Sequence, residues 1–165
     1  MATAVLVALV GCAQRQTLHA VEPNVGVVSA TYAGPLTHRV DLQYTGFSFD
    51  RPGTQAPAIS PATAFAHCAR RGICIWFGGS TTVYLARVTT DNLGGMSGQL
   101  AYLIVSTDFK CSDSGGPALL PGMSPRPVHV YNCFGINFMD ATRDAGLGAI
   151  QTGDPHELEL VEKMH

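Results

Sequence analysis

The chain has 165 residues and a formal net charge of −2, with 13% charged and 46% hydrophobic residues. That length supports one substantial core or two small packed barrels. The near-neutral balance, with no Lys/Arg cluster, excludes the electrostatic footprint of a nucleic-acid binder. With 18 Gly and 10 Pro, the composition favours many short strands, an all-β fold, over helices.

The chain opens MATAVLVALVGC. Leu-Val-Gly-Cys ending at Cys12 has the form of a bacterial lipidation box, which would make the chain a surface lipoprotein. No basic region precedes it and the apolar run is short, so residues 4–10 are predicted as a buried strand instead. No stretch reaches the roughly 18 apolar residues of a membrane-spanning helix. Further strands are predicted at 25–32, 38–44 and 46–49. Residues 50–63, DRPGTQAPAISPAT, are rich in turn formers and read as a linker or long surface loop. Strands resume at 73–77, 81–90 and 99–107, the second alternating Val83, Leu85 and Val88 against Thr82, Arg87 and Thr89.

Between the last two groups of strands lies Cys111-Ser112-Asp113-Ser114-Gly115-Gly116-Pro117. A nucleophilic serine needs its hydroxyl lifted clear of the backbone, with main-chain N–H groups beside it to receive a developing oxyanion. Gly115 and Gly116 leave room for a substrate to lie against the backbone, and Pro117 ends the turn. The competing reading is an ordinary Gly-Pro turn between strands. Three more strands follow, at 118–120, 128–138 and 147–151. Asp154 as N-cap, Pro155 at the first helical position and Glu157 then predict a short helix over 155–165.

Five cysteines, Cys12, Cys68, Cys74, Cys111 and Cys133, are an odd number. That argues against a secreted disulfide framework and for a reducing compartment.

The run Asp113 to Pro117 resembles the nucleophile turn of chymotrypsin-like proteases. The resemblance implies a double β-barrel with a short C-terminal helix: an N-terminal barrel over 1–50, a linker over 51–72 and a C-terminal barrel over 73–165 that carries Ser114. The base and acid should then come from the first barrel. Ala64-Phe65-Ala66-His67-Cys68 is similar to the histidine segment of secreted serine proteases, but His67 falls in the linker. The order His19, Asp50, Ser114 leaves room for the intervening strands, with His19 as base and Asp50 orienting it. His38 and Asp41 remain as alternatives.

More narrowly, the chain resembles the polyprotein protease domain of hepatitis C-type viruses (hepaciviruses and pegiviruses). The likeness rests on Gln43-Tyr44-Thr45 with Asp50, on Gly79-Ser80 with Val83-Tyr84-Leu85, and on Ser114-Gly115-Gly116-Pro117 with Leu119-Leu120. It implies a serine endopeptidase acting on a viral polyprotein by acyl-enzyme chemistry, in the host-cell cytoplasm. A β-strand cofactor peptide would complete the first barrel and bring the enzyme to a membrane. Ser112 and Ser114 would supply the oxyanion N–H groups, and Asp108, Phe134 and Phe138 would line the substrate pocket. The family's structural zinc points to Cys68, Cys74 and Cys133, with His129 as a substitute ligand; small buried thiols are the competing reading. Three departures stand out. Ser112 replaces the family's glycine, the first barrel is short, and Leu120 and Ser124 occupy positions where further zinc ligands are expected. The alternative function is a catalytically inactive protease-like binding or assembly module.

Overall fold

The computed structural model describes residues 15–71, 79–92, 94–112 and 128–164. The strands predicted at 4–10, 73–77 and 118–120, together with Cys12, Cys74 and Ser114, lie outside them. Eight strands are present among the described residues. In chain order they are β1 (Gln16–Glu22), β2 (Gly26–Pro35), β3 (Val40–Leu42), β4 (Phe47–Asp50), β5 (Ser80–Thr90), β6 (Met96–Ser112), β7 (Val130–Asp140) and β8 (Gly146–Thr152). Two helices join them, α1 (Pro61–Arg71) between β4 and β5, and α2 (Pro155–Glu162) at the end. The fold is predominantly β, as the composition implies.

All eight strands belong to one sheet, ordered β1-β2-β5-β6-β7-β8, with the β3–β4 hairpin joined through β4 to β5. Strand β5 is the hub. One of its edges pairs with β6 along its length. The other is shared: Thr82 to Leu85 run parallel to β2, and Arg87 to Thr90 run antiparallel to β4. Strands on both sides of residues 51–72 are therefore hydrogen-bonded directly to each other. Among the described strands the sheet does not close on itself, so the two barrels implied by the resemblance are not what these strands form.

Both faces of this sheet are covered. Val83, Leu85, Leu100, Tyr102 and Ile104 pack on one face with Leu18, Ala20 and Ala30, beneath Ala64, Phe65, Cys68 and Ala69 of α1. Tyr84, Ala86, Val88, Ala101, Leu103 and Val105 point to the other face. There they meet Phe47, Phe49, Phe134, Phe138 and the α2 residue Val161. Two-sided burial explains why β5 and β6 read as nearly continuous apolar runs rather than as clean alternation. The Tyr102 hydroxyl donates to the Ile59 carbonyl at 2.8 Å, and burial pushes this phenol up to about 12.

Helix α1 corrects the linker reading of 51–72. Ser60 caps it, accepting from the Thr63 N–H at 3.0 Å, and Pro61 fills its first position. The apolar positions 64, 65, 68 and 69 recur at helical spacing and are fully buried. The Pro- and Ser-rich text that resembles a linker is, at its end, a helix start signal. Helix α2 forms where the Asp-Pro-His-Glu sequence places it, with the Asp154 side chain accepting from the N–H groups of His156 and Glu157.

Candidate functional site

The long strand β6 immediately precedes the Asp113–Pro117 motif in the chain. It bends at a bulge between Ser106 and Phe109, where Asp108 adopts φ +61°, a left-handed conformation that aspartate tolerates better than most residues. Beyond the bulge β6 pairs with β7 as far as Ser112 opposite Val130. A disulfide between Cys111 and Cys133 ties the two strands at this end, with Cα atoms 5.8 Å apart. The Gln151 amide of β8 reaches the Cys111 sulfur at 2.6 Å. Ser114 itself lies outside the described residues.

Beside this stapled end lies a groove of about 590 Å³ whose walls include Tyr44, Thr45, Tyr131, Gln151, Gly153 and Asp154. Gly153 is a requirement of its shape. A Cβ there would stand 2.2 Å from the Tyr131 ring and 3.1 Å from the Asn132 carbonyl oxygen, so only glycine lets the ring lie against the backbone. Glu157 stands behind the wall. Its Oε1 accepts from the Thr45 N–H at 2.9 Å and the Thr45 hydroxyl at 3.3 Å. Its Oε2 is buried without a hydrogen-bond partner among the described residues.

The residues chosen from sequence are dispersed. His19 lies on the exposed side of β1 opposite Ser29, in the row that meets β5 at its start, Ser80. Asp50 pairs with Arg87, seven residues further along β5, which is about 23 Å of strand. The structure does not bring His19 and Asp50 together. Asp50 instead lies 3.6 Å from the Arg39 guanidinium, which also holds Asp41 at 2.8 Å. That partnership and the Ser48 hydroxyl keep the Asp41 carboxyl below its ordinary range. Ser112 is the last residue of β6.

The expected pocket also needs correction. Phe134 and Phe138 face the core, not a pocket. Phe138 stacks on Phe47 with ring centroids 5.1 Å apart and meets the tilted ring of Phe49 at 6.0 Å, and Phe134 has no exposed surface. Asp108 is exposed at the bulge and is not among the groove residues. The proposed metal ligands are engaged otherwise. Cys133 is bonded to Cys111, Cys68 is also disulfide-bonded, and Cys74 lies outside the described residues. A sulfur in a disulfide is not a thiolate and cannot ligate zinc as one. The odd cysteine count thus hid paired cysteines, and the reduced-thiol expectation does not hold for Cys68, Cys111 and Cys133.

Two arrangements escaped the sequence reading. His129 immediately precedes Val130, the residue opposite Ser112, so β6–β7 register sets it at the stapled end. Nothing local in the sequence marks that pairing, because a 17-residue interval separates the two partners. His67, read as a linker residue, is buried on α1 with its Nδ1 2.5 Å from the Asp144 carboxylate in the β7–β8 turn. That turn bonds to β6 at Leu100, twelve residues of strand before Ser112, or about 40 Å of extended chain. The pair clamps α1 at the opposite end of β6 from Ser112.

Comparison with protein-family models, with curated proteins and with solved structures finds no match. The site is therefore interpreted from its own chemistry. Among the described residues, no helix is long and apolar enough to cross a membrane.

Proposed function

We propose that this chain is a serine endopeptidase with Ser114 as nucleophile, processing a polyprotein as its resemblance to the hepatitis C-type viral enzymes implies. The observation that supports it is the groove: its Tyr131 and Gln151 flank Cys111, three residues before Ser114, on strands fixed by a disulfide. Acyl transfer needs a nucleophile and a cleft for the acyl side chain, and this groove is a concave surface at the end of β6, the strand that precedes the Ser114 motif in the chain. His129, set by register at the same end, is a better-placed base than His19, which belongs to a strand three places away from β6 in sheet order. The imidazole takes the hydroxyl proton as Oγ attacks the carbonyl and returns it to the leaving amine. The strand cofactor belongs to this same reading; it would add to β1, which ends the described sheet.

A second reading has its own support. The separation of His19 from Asp50 fits a protease-like module that binds polypeptide without cleaving it. Labelling with a fluorophosphonate decides between the two. The hydrolase reading requires stoichiometric modification at Ser114, its loss in Ser114→Ala, and labelling at least 100-fold slower in His129→Ala than in His19→Ala. An unlabelled Ser114 in folded protein refutes catalysis and leaves the binding module.

A further inference from the structure

The groove has a chemical character that its position does not by itself explain. Two tyrosine rings, Tyr44 and Tyr131, stand in its walls, the first 78% and the second 39% exposed. Asp154 lines it, and the Glu157 carboxylate lies buried directly behind Thr45. No lysine or arginine lines it among the described residues. The nearby Lys110 ammonium is already bonded to the Asn132 side chain.

Each feature favours the same guest. The faces of tyrosine rings carry negative charge density and attract cations, most strongly when both are partly withdrawn from water. A carboxylate at the wall adds direct attraction. Behind the same wall, the buried Glu157 side chain turns an acceptor oxygen toward Thr45 and keeps a second oxygen unpartnered among the described residues. The space easily accommodates an arginine or lysine side chain. Gly153 shows that the cleft is built, since the ring of Tyr131 occupies the volume any other residue would fill.

We propose that the groove binds the cationic side chain of a lysine or arginine in a polypeptide. This rests on the reading of the groove as the substrate-facing surface beside Ser114, and it adds the substrate class. Asp108, which the resemblance places in the substrate pocket, is not among the residues that line this groove.

The test reads binding, so that it does not depend on turnover. Full-length Ser114→Ala protein is titrated by NMR with N-acetyl-arginine methylamide, with its neutral isostere N-acetyl-citrulline methylamide, and with N-acetyl-phenylalanine methylamide. The arginine probe should shift the amides of Tyr131, Gln151 and Gly153 and bind at least tenfold more tightly than the citrulline probe. Asp154→Asn should weaken arginine binding about fivefold, since asparagine keeps the acceptor that caps α2 while removing the charge. Tyr131→Leu should weaken it by a similar factor. Citrulline or phenylalanine binding as tightly as arginine, arginine shifts that map elsewhere, or an unchanged affinity in Asp154→Asn would each overturn the proposal. The two readings fail separately. Arginine binding with an unlabelled Ser114 removes the hydrolase and keeps the groove; a labelled Ser114 without arginine preference does the reverse.

Discussion

Replacing Phe138 by alanine separates a core role from a pocket role for this ring. Its side chain is buried to 1% exposure, stacked almost parallel on Phe47 and in contact with Phe49. Removing a buried phenylalanine loses its transfer free energy and leaves a cavity, a combined cost of about 3–5 kcal/mol. For a chain of this size each kcal/mol lowers Tm by about 2–4 °C, so Phe138→Ala should melt roughly 6–20 °C lower than the parent. Urea unfolding followed by circular dichroism should show an earlier midpoint with an unchanged slope. A double-mutant cycle of Phe47→Leu with Phe138→Leu should return a coupling of about 0.5–1.5 kcal/mol for the stacked pair. The opposite pattern refutes the reasoning: a loss below about 1 kcal/mol, no coupling to Phe47, and altered peptide selectivity would put Phe138 in a substrate pocket.

Other consequences can be measured on the same protein. Ser114→Ala should lower peptide cleavage by about 10⁴-fold or more while leaving the unfolding midpoint unchanged; activity within tenfold of the parent would exclude Ser114 as nucleophile. The double variant Cys111→Ser/Cys133→Ser opens a loop spanning a separation of 22 residues and should cost about 3 kcal/mol in urea unfolding. His67→Ala removes the buried partner of Asp144 and should cost about 2–3 kcal/mol without changing fluorophosphonate labelling, because the clamp lies at the other end of β6. Asp140 gives a pH signature. Burial pushes its carboxyl up, but bonds from the Thr142 hydroxyl and N–H and from Arg143 outweigh it and set it below its ordinary value of 3.8. A lowered folded-state value stabilises above the unfolded one and is lost as pH falls through the folded one. Protection of the Thr142 amide against hydrogen exchange should therefore hold at pH 5 and decline below pH 4; a flat profile would refute the assignment.

Sequence alone determined the parts of this protein whose cause is local. The Asp154-Pro155 start of α2 was legible because capping and proline preference act within one turn of chain. Strands β2 to β8 were legible in large part because apolar runs between Gly and Pro clusters are local statements. The Asp113–Pro117 run is a local statement of the same kind, a resemblance carried by five consecutive residues. Helix α1 was also written there, in Ser60-Pro61 and the spacing of Phe65 and Cys68, but the neighbouring Pro-rich text masked it. Strand β1 went unread because Gln16–Glu22 is short and half polar, and the more apolar residues 4–10 drew the assignment instead.

What only the tertiary structure decided is which residues meet. Sheet register set Asp50 about seven rows along β5 from the row of His19, placed His129 next to Val130, the partner of Ser112, and turned Phe134 and Phe138 inward. It also paired Cys111 with Cys133 across a β6–β7 register that no cysteine spacing reveals. The physical reason is common to all four. Pairing between strands distant in sequence follows from burying both faces of the sheet at once, and that is a property of the whole chain rather than of any segment.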